Sequence, residues 1–182
     1  SSVTKNKVSS ETISTYIEYL IDSFLFKEAK RYDVKGKKYF HYPSKFFCTD
    51  IGLRNARLSF RQQDEGHIME NIIFNELISR GYLVDVGVVE TVEINPEGKQ
   101  RQKQLEVDFV LNRGSEKLYI QSAASMDNEQ KKRQELRPFN AIKDNFKKIV
   151  ISKTRAKPWT DSNGIYHIGL YEFLLDRSLL GS

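Results

Sequence analysis

The chain has 182 residues, of which 39% are hydrophobic and 29% charged, and this balance is typical of a soluble globular protein. No apolar run reaches the roughly 20 residues of a membrane span, and the first residues lack the pattern of a signal peptide. The single cysteine, Cys48, excludes an internal disulfide and fits the reducing cytoplasm. Because the chain begins at Ser1 without methionine and close to a helix, we expect it to be a segment of a longer protein.

The first predicted elements are a helix and a hairpin. Ser9 is a good N-cap, and apolar residues recur after it at helical spacing up to Phe24. Gly36 lies between two runs of basic and aromatic residues, which predicts a hairpin turning near Val34–Lys37. A helix followed by a basic hairpin is typical of the second half of a winged helix. We therefore assign residues 1–45 to a partial winged-helix segment and residues 46–182 to a second domain.

The net charge of +5 is concentrated in this first segment. Between Lys27 and Lys45 seven basic residues stand against Glu28 and Asp33, a surplus equal to the net charge of the chain. Such a segment can contact phosphates, and it can equally be a solvated hairpin. The predicted contacts to nucleic acid are Arg31, Lys35, Lys37 and Lys38.

The middle of the chain predicts a short extended segment at Lys45–Thr49, a short helix at 50–56 and a strong helix at 66–80. On the last helix, Glu70 falls inside the apolar stripe formed by Met69, Ile72, Ile73 and Leu77. A carboxylate directed at a core is costly unless it is paired or binds a metal. Glu76 also lies near the stripe, so the wheel alone does not single out Glu70.

The remaining elements alternate between strands and helices. We predict a strand at Tyr82–Glu90 with a bulge at Gly87, an exposed and partly extended loop at Thr91–Gln104, and a helix within Ser125–Asn145 that Pro138 kinks or divides. A short strand at Lys148–Lys153, a last strand near Gly164–His167 and a closing helix at Leu170–Leu180 complete the chain.

The stretch Leu105–Ala123 predicts a central β-hairpin that turns near Gly114. Alternation places Leu105, Val107, Phe109 and Leu111 on one face and Glu106, Asp108 and Val110 on the other. If Asn112 pairs with Lys117, Asp108 lies opposite Gln121 and Glu106 opposite Ala123. Two carboxylates and an amide then converge, where they raise each other's pKa or recruit a cation. The alternative is that this acidic face is simply solvated.

The order helix, three strands, helix, strand from Gly66 onward is similar to the core of the PD-(D/E)XK nuclease superfamily. The chain more specifically resembles the C-terminal region of bacterial and archaeal AAA-type ATPases, which carry a winged helix and a nuclease-like domain of uncharacterised function. The matching stretches are SSETISTYIEYLIDSFLF, RYDVKGKKYF, FFCTDIGLRNA, GHIMENIIFNELISRGY, LEVDFVL and YIQSA. The fold class expected is α/β (α+β), with a restriction-endonuclease-like αβββαβ core preceded by part of a winged helix.

The resemblance implies a site at Glu70, Asp108 and Gln121, with Glu106 beside it, in which Glu70 and Asp108 hold Mg²⁺ for phosphodiester hydrolysis. The lysine position of the superfamily is Ala123, which has neither charge nor donor. Lys131, Lys132 or Arg133 could replace it from the next helix. The resemblance also implies a preceding ATPase domain that binds ATP, since this chain has no phosphate-binding loop.

Three functions stay open from the sequence. The first is a catalytically degenerate nuclease-fold domain that binds nucleic acid, such as DNA, or regulates the ATPase. The second is an active Mg²⁺-dependent nuclease. The third is a structural domain that contacts other proteins only. We expect no metal-dependent cleavage at a useful rate, because Ala123 leaves the site without its ammonium group.

Overall fold

The computed structural model describes residues 8–39, 43–61, 64–94, 98–114, 116–126, 128–155 and 157–180. The start of the predicted winged-helix segment (1–7) and Pro96 of the predicted loop lie outside these ranges. The described residues form an α+β fold, in which an eight-stranded mixed sheet is covered by helices on both faces.

The helices in the described ranges are α1 (Ser10–Asp22), α2 (Ile51–Arg57), α3 (Glu65–Ser79), α4 (Glu129–Asn140) and α5 (Leu170–Leu175), followed by a 3-10 turn at Arg177–Leu180. The strands are β1 (Phe26–Ala29), β2 (Arg31–Asp33), β3 (Lys38–Tyr39), β4 (Lys45–Cys48), β5 (Leu83–Ile94), β6 (Gln100–Arg113), β7 (Glu116–Ala123), β8 (Lys147–Ser152), β9 (Trp159–Thr160) and β10 (Tyr166–Gly169). The predicted order from α3 to β8 is confirmed.

The large sheet has the strand order β3-β2-β5-β6-β7-β8-β10-β9. The pairs β2–β5, β7–β8 and β8–β10 are parallel, and the remaining pairs are antiparallel. Strands β1 and β4 form a separate two-stranded antiparallel sheet. The predicted hairpin turn at residues 34–37 is confirmed, and it joins β2 and β3 at the edge of the large sheet. The division at residue 45 stays a prediction.

The sheet is buried on both faces, so it separates two apolar cores. On one face Ile73 and Phe74 of α3 pack with Phe109 and Phe47, and the Phe47 and Phe74 rings stack with centroids 4.0 Å apart. On the other face Leu136 and Phe139 of α4 pack with residues that include Val107, Val110, Tyr119 and Ala123. We call these the α3 face and the α4 face.

The predicted loop at Thr91–Gln104 is wrong over most of its length. Strand β5 continues to Ile94 and β6 begins at Gln100, and the two pair in register from Glu90–Gln104 to Ile94–Gln100. The side chains of these arms are mostly exposed. Without a buried face, a strand shows no alternation of apolar and polar residues, and the pattern resembles that of a loop.

The predicted first helix is confirmed, with Ser9 Oγ accepting a hydrogen bond from the backbone of Thr12 at 3.1 Å. Its apolar stripe, however, is not part of either core. Helix α1 has no buried residue, and its side chains Ile13, Tyr16 and Tyr19 are about half or more exposed. Among the described residues no helix is long and apolar enough to cross a membrane.

Candidate functional site

Helix α3 brings Glu70 to the sheet. The helix begins after Asp64, whose carboxylate accepts a hydrogen bond from the backbone N–H of His67, and its residues Met69, Ile73 and Leu77 are buried. Glu70 follows Met69 at the edge of this stripe, and its side chain is 13% exposed. The helical wheel placed Glu70 inside the apolar stripe; in the structure it lies at the edge of that stripe, where its side chain is mostly buried.

A β-bulge directs Asp108 to the same face. Asp85 pairs with Val110 and Gly87 with Val107, so the single residue Val86 faces two residues of β6, Asp108 and Phe109. Gly87 is required here, because a Cβ on it would lie 2.8 Å from Val110 Cγ2 and 2.9 Å from Val107 Cβ.

The bulge also corrects the predicted faces of β6. Leu105 and Val107 do not share a face with Phe109 and Leu111; they pack on the α4 face with Val110. Strict alternation fails because the extra residue reverses the side-chain direction between Val107 and Phe109. Glu106 and Asp108 therefore lie toward the α3 face, where both are half-buried, and they are not a solvated stripe.

The β6–β7 ladder ends where the site begins. Asn112 pairs with Lys117 as predicted, and the last pair of the ladder is Phe109–Ile120. Beyond it, side chains replace the ladder: Ser122 N–H donates to Asp108 Oδ2 at 2.7 Å, and Asp108 N–H donates to Gln121 Oε1 at 3.4 Å. The expected pairing of Glu106 with Ala123 is not part of this ladder.

Glu70, Asp108 and Gln121 come together around one cleft of about 230 Å³. The other side chains that line it include Asp64, His67 and Ser122, as well as Glu135 from α4. Burial raises the pKa of Asp108 to about 8, and the nearby charge of Glu70 adds to this effect. Burial also raises the pKa of Glu135, although a hydrogen bond with Gln121 opposes the increase.

The sequence analysis missed the cation of this site, which is Lys45. Its Nζ atom lies 2.7 Å from Glu70 Oε1 and 2.6 Å from Glu106 Oε1. Burial lowers the pKa of Lys45, but the charge of Glu70 and the bonds to both carboxylates outweigh it and leave the pKa raised. The ammonium group is therefore held in its charged form between two carboxylates.

Lys45 reaches this position because α3 binds strand β4 through an amide. Asn71 accepts from Cys48 N–H at 3.0 Å and donates to Cys48 C=O at 2.8 Å, so its side chain pairs with the strand as a neighbouring strand would. The sequence signal was Lys45 itself. It stands two residues before buried Phe47 in a short strand, and alternation therefore directs it inward.

Arg31 lies on the outer side of the same cluster. Its Nη1 atom is 2.6 Å from Glu106 Oε2, and its Nε donates to the carbonyl of Pro43 at 3.0 Å. Burial raises the pKa of Glu106, but the bonds and charges of Lys45 and Arg31 reverse this and leave the pKa lowered. Arg31 was predicted to contact phosphate, and the structure places it instead against a carboxylate.

The predicted replacements for the missing lysine, Lys131, Lys132 and Arg133, do not line the cleft. Ala123 is buried on the α4 face. Lys131 Nζ contacts Ser125 Oγ at 3.3 Å, and Lys132 and Arg133 follow it on α4. In the described part of the chain no group of three or more His, Cys, Asp or Glu is arranged to hold a metal ion. The predicted metal pair, Glu70 and Asp108, stands beside an ammonium group instead.

The basic hairpin opens onto a second concave surface. Lys35 and Lys37 line a groove of about 340 Å³ together with Val34, Ile142, Lys143 and Asp144. Lys35 Nζ donates to the carbonyl of Glu90 at 2.6 Å, while Lys37, Lys38 and Lys143 are exposed. Three of the four predicted phosphate contacts thus lie on the hairpin surface, and Arg31 does not.

Comparison with known proteins shows which family the chain matches, and neither that family nor the relatives below has a described activity. The family described as "Domain of unknown function (DUF4143)" matches residues 65–173. An uncharacterized protein of Haemophilus influenzae is 35% identical over 92% of this chain and 38% of its own length. Uncharacterized protein MJ1544 of Methanocaldococcus jannaschii is 32% identical over 76% of this chain and 28% of its own length. The chain thus spans less than two fifths of these relatives.

Among solved structures, protein VC1899 from Vibrio cholerae is similar at 11% identity with a TM-score of 0.33. The alignment covers 92% of this chain and 42% of that chain.

Proposed function

We propose that this chain, which belongs to the DUF4143 family, is a nuclease-like module that binds nucleic acid without hydrolysing it. The order of elements from α3 to β8, with Glu70 on the helix, Asp108 on the second strand and Gln121 on the third, supports a relationship with the PD-(D/E)XK superfamily. The longer relatives leave room for the ATPase domain that the sequence resemblance implies, and we include that domain in the proposal.

The observation that carries the loss of hydrolysis is the position of Lys45. Its ammonium group lies within 2.7 Å of Glu70 and Glu106, two carboxylates whose charges act on Asp108. With the pKa of Asp108 at about 8, this aspartate is mostly protonated at neutral pH. Two charged carboxylates, Glu70 and Glu106, then face two cations, Lys45 and Arg31, and the cluster is close to neutral.

A divalent cation does not fit such a cluster. Mg²⁺ is held by charged oxygen ligands, and here it would have to displace an ammonium group that already bonds to those oxygens. The amide of Gln121 adds no charge, and Ala123 adds no donor. We therefore derive no metal-dependent step for these residues.

Binding of nucleic acid is supported by the exposed lysines of the hairpin. Lys37 and Lys38 are exposed at the sheet edge, and Lys37 and Lys143 both line the groove. Contacts of this kind depend on salt, since each phosphate contact releases condensed counterions.

The test combines a cleavage assay with a binding assay on the same labelled DNA and RNA, single- and double-stranded. With Mg²⁺ or Mn²⁺ we expect cleavage at background level, and in the absence of metal we expect binding that weakens steeply with salt. Asp108→Ala and Lys45→Met are the matched variants for cleavage. Metal-dependent cleavage that disappears in Asp108→Ala would make the chain an active nuclease, with Lys45 as its displaced lysine. Absence of binding at low salt would remove the nucleic-acid part of the proposal.

A second candidate function is contact with other proteins, and helix α1 favours it. The helix has no buried residue, and Phe24 after it is 78% exposed. An apolar surface of this kind on a folded domain commonly marks an interface.

A further inference from the structure

A row of aromatic rings and a lysine crosses the α4 face beside the groove. The Tyr39 and Tyr32 rings meet edge to face at 5.5 Å. Lys117 Nζ lies 4.9 Å from the centre of the Tyr32 ring and 5.5 Å from the centre of the Phe146 ring, so it stands between the two. Tyr39 is 56% and Phe146 41% exposed, which leaves ring surface free at both ends of the row.

The lysines of the groove stand next to this row. Val34 and Lys35 follow the strand that carries Tyr32, and Lys143 and Asp144 precede Phe146. Cations and rings thus lie on the same face of the sheet. This combination is typical of proteins that bind single strands, whose phosphates follow basic residues while their bases stack on aromatic rings.

The carboxylates near this surface already have partners inside the protein. Asp144 accepts from the Tyr119 hydroxyl at 2.6 Å, Asp85 accepts from the Tyr39 hydroxyl at 3.0 Å, and Asp33 accepts from the backbone of Lys35 and Gly36. Each of these bonds holds the carboxylate in place. The lysines Lys37 and Lys143 are exposed, so the surface presents cations to a ligand.

We infer that this face binds single-stranded nucleic acid, with phosphates in the groove of Lys35, Lys37 and Lys143 and bases on the Tyr39 and Phe146 rings. The inference rests on the proposed function and adds the form of the ligand and its location away from the Glu70–Asp108 cleft. A duplex fits this face less well, because its bases stack on one another and do not offer their faces to exposed rings.

The experiment measures binding of the 182-residue chain to fluorescent oligo-dT, oligo-U and a DNA duplex over a series of salt concentrations. We expect both single strands to bind more tightly than the duplex, and their ratio to show whether DNA or RNA is preferred. The variants Phe146→Ala and Tyr39→Leu remove one ring each, and each should weaken single-strand binding by about tenfold or more.

A charge variant and its control test the groove. The triple change Lys35→Gln, Lys37→Gln and Lys143→Gln should reduce the log–log salt slope for a single strand by about 2, since each contact contributes about 0.7. The control removes three cations from α4 (Lys131→Gln, Lys132→Gln, Arg133→Gln) and should leave the slope unchanged. Circular dichroism of every variant shows whether the fold is retained.

The contrary outcomes separate this inference from the proposed function. Duplex binding that depends on the groove lysines but not on Phe146 or Tyr39 would overturn the inference and leave the proposed function in place. If the groove variant and the α4 variant reduced the salt slope equally, the groove would not be the site that binds the phosphates. If none of the three ligands bound, both the inference and the proposed binding of nucleic acid would be overturned.

Discussion

The region of the cleft and the groove both contain carboxylates and basic side chains, but the basic side chains have different partners in the two places. Beside the cleft, Lys45 and Arg31 bond to Glu106 at 2.6 Å, and Lys45 also bonds to Glu70, so the charges of this cluster neutralise one another. In and near the groove, the carboxylates bond to tyrosine hydroxyls and backbone N–H groups, while Lys37 and Lys143 are exposed. The cluster beside the cleft is thus closed to a further cation, and the groove is open to an anion.

This difference shows why the charge of a segment does not locate its function. The basic stretch Lys27–Lys45 supplies both regions: Arg31 and Lys45 bond to Glu106 beside the cleft, and Lys35 and Lys37 border the groove. A count of basic residues does not distinguish these two pairs of cations. Whether a cation is available to a ligand depends on the carboxylates that the fold places near it.

The largest expected effect is on the cleft, through Lys45→Met. The change retains the length of the side chain and removes the charge, which leaves Glu70 and Glu106 without their shared partner. Because these groups are half-buried, we expect the free energy of unfolding to fall by about 3 kcal/mol at neutral pH. Urea denaturation measures it. Adding MgCl₂ should stabilise this variant more than the unmodified chain, since a cation can then bind the released carboxylates.

Lys38→Met is the matched control, because Lys38 is an exposed lysine on β3, the strand that precedes β4 in the sequence. Its effect should stay within about 0.5 kcal/mol. Equal stability of the Lys45 and Lys38 variants would mean that the cleft does not need its internal ammonium group.

The next effect concerns pH and Asp108. With a pKa of about 8 in the folded protein and about 4 in the unfolded chain, the folded state binds more protons between these values. The contribution of Asp108 to stability is therefore present below pH 4 and is lost as the pH rises toward 8. Asp108→Asn lacks this titration, so its stability relative to the unmodified chain should increase by about 2 kcal/mol between pH 6 and pH 8. Parallel stability–pH curves for the two proteins would contradict the raised pKa.

The sequence predicted the periodic parts of the fold and the three residues that line the cleft. Helix α3 and the β6–β7 hairpin have strong local patterns, so Glu70, Asp108 and Gln121 could be placed without coordinates. The bulge could not be predicted from the sequence, because it is defined by the register of β6 against β5. Alternation read along β6 alone therefore assigned Leu105 and Val107 to the wrong face.

Lys45 was missed for a different reason. Its partners, Glu70 and Glu106, are 25 and 61 residues away in the chain. Side chains of α3 that bond to Cys48 and stack on Phe47 bring β4 against this helix. No local pattern encodes those contacts. The replacement lysine was therefore predicted on α4, the helix that follows the site in sequence, although the cation comes from a strand that precedes it.

The smallest expected effect completes the contrast between the two regions. The triple change Lys35→Gln, Lys37→Gln and Lys38→Gln removes three cations from the hairpin. By contrast, Lys45→Met removes one cation from beside the cleft. Lys35 loses only an exposed bond to the carbonyl of Glu90, and Lys37 and Lys38 have exposed side chains. Exposed charges contribute little to folding, so the free energy of unfolding should change by less than about 0.5 kcal/mol, as urea denaturation would show. A loss comparable to that of Lys45→Met would mean that the hairpin lysines stabilise the sheet edge. They would then serve the fold, and their exposure would no longer support a role in binding phosphate.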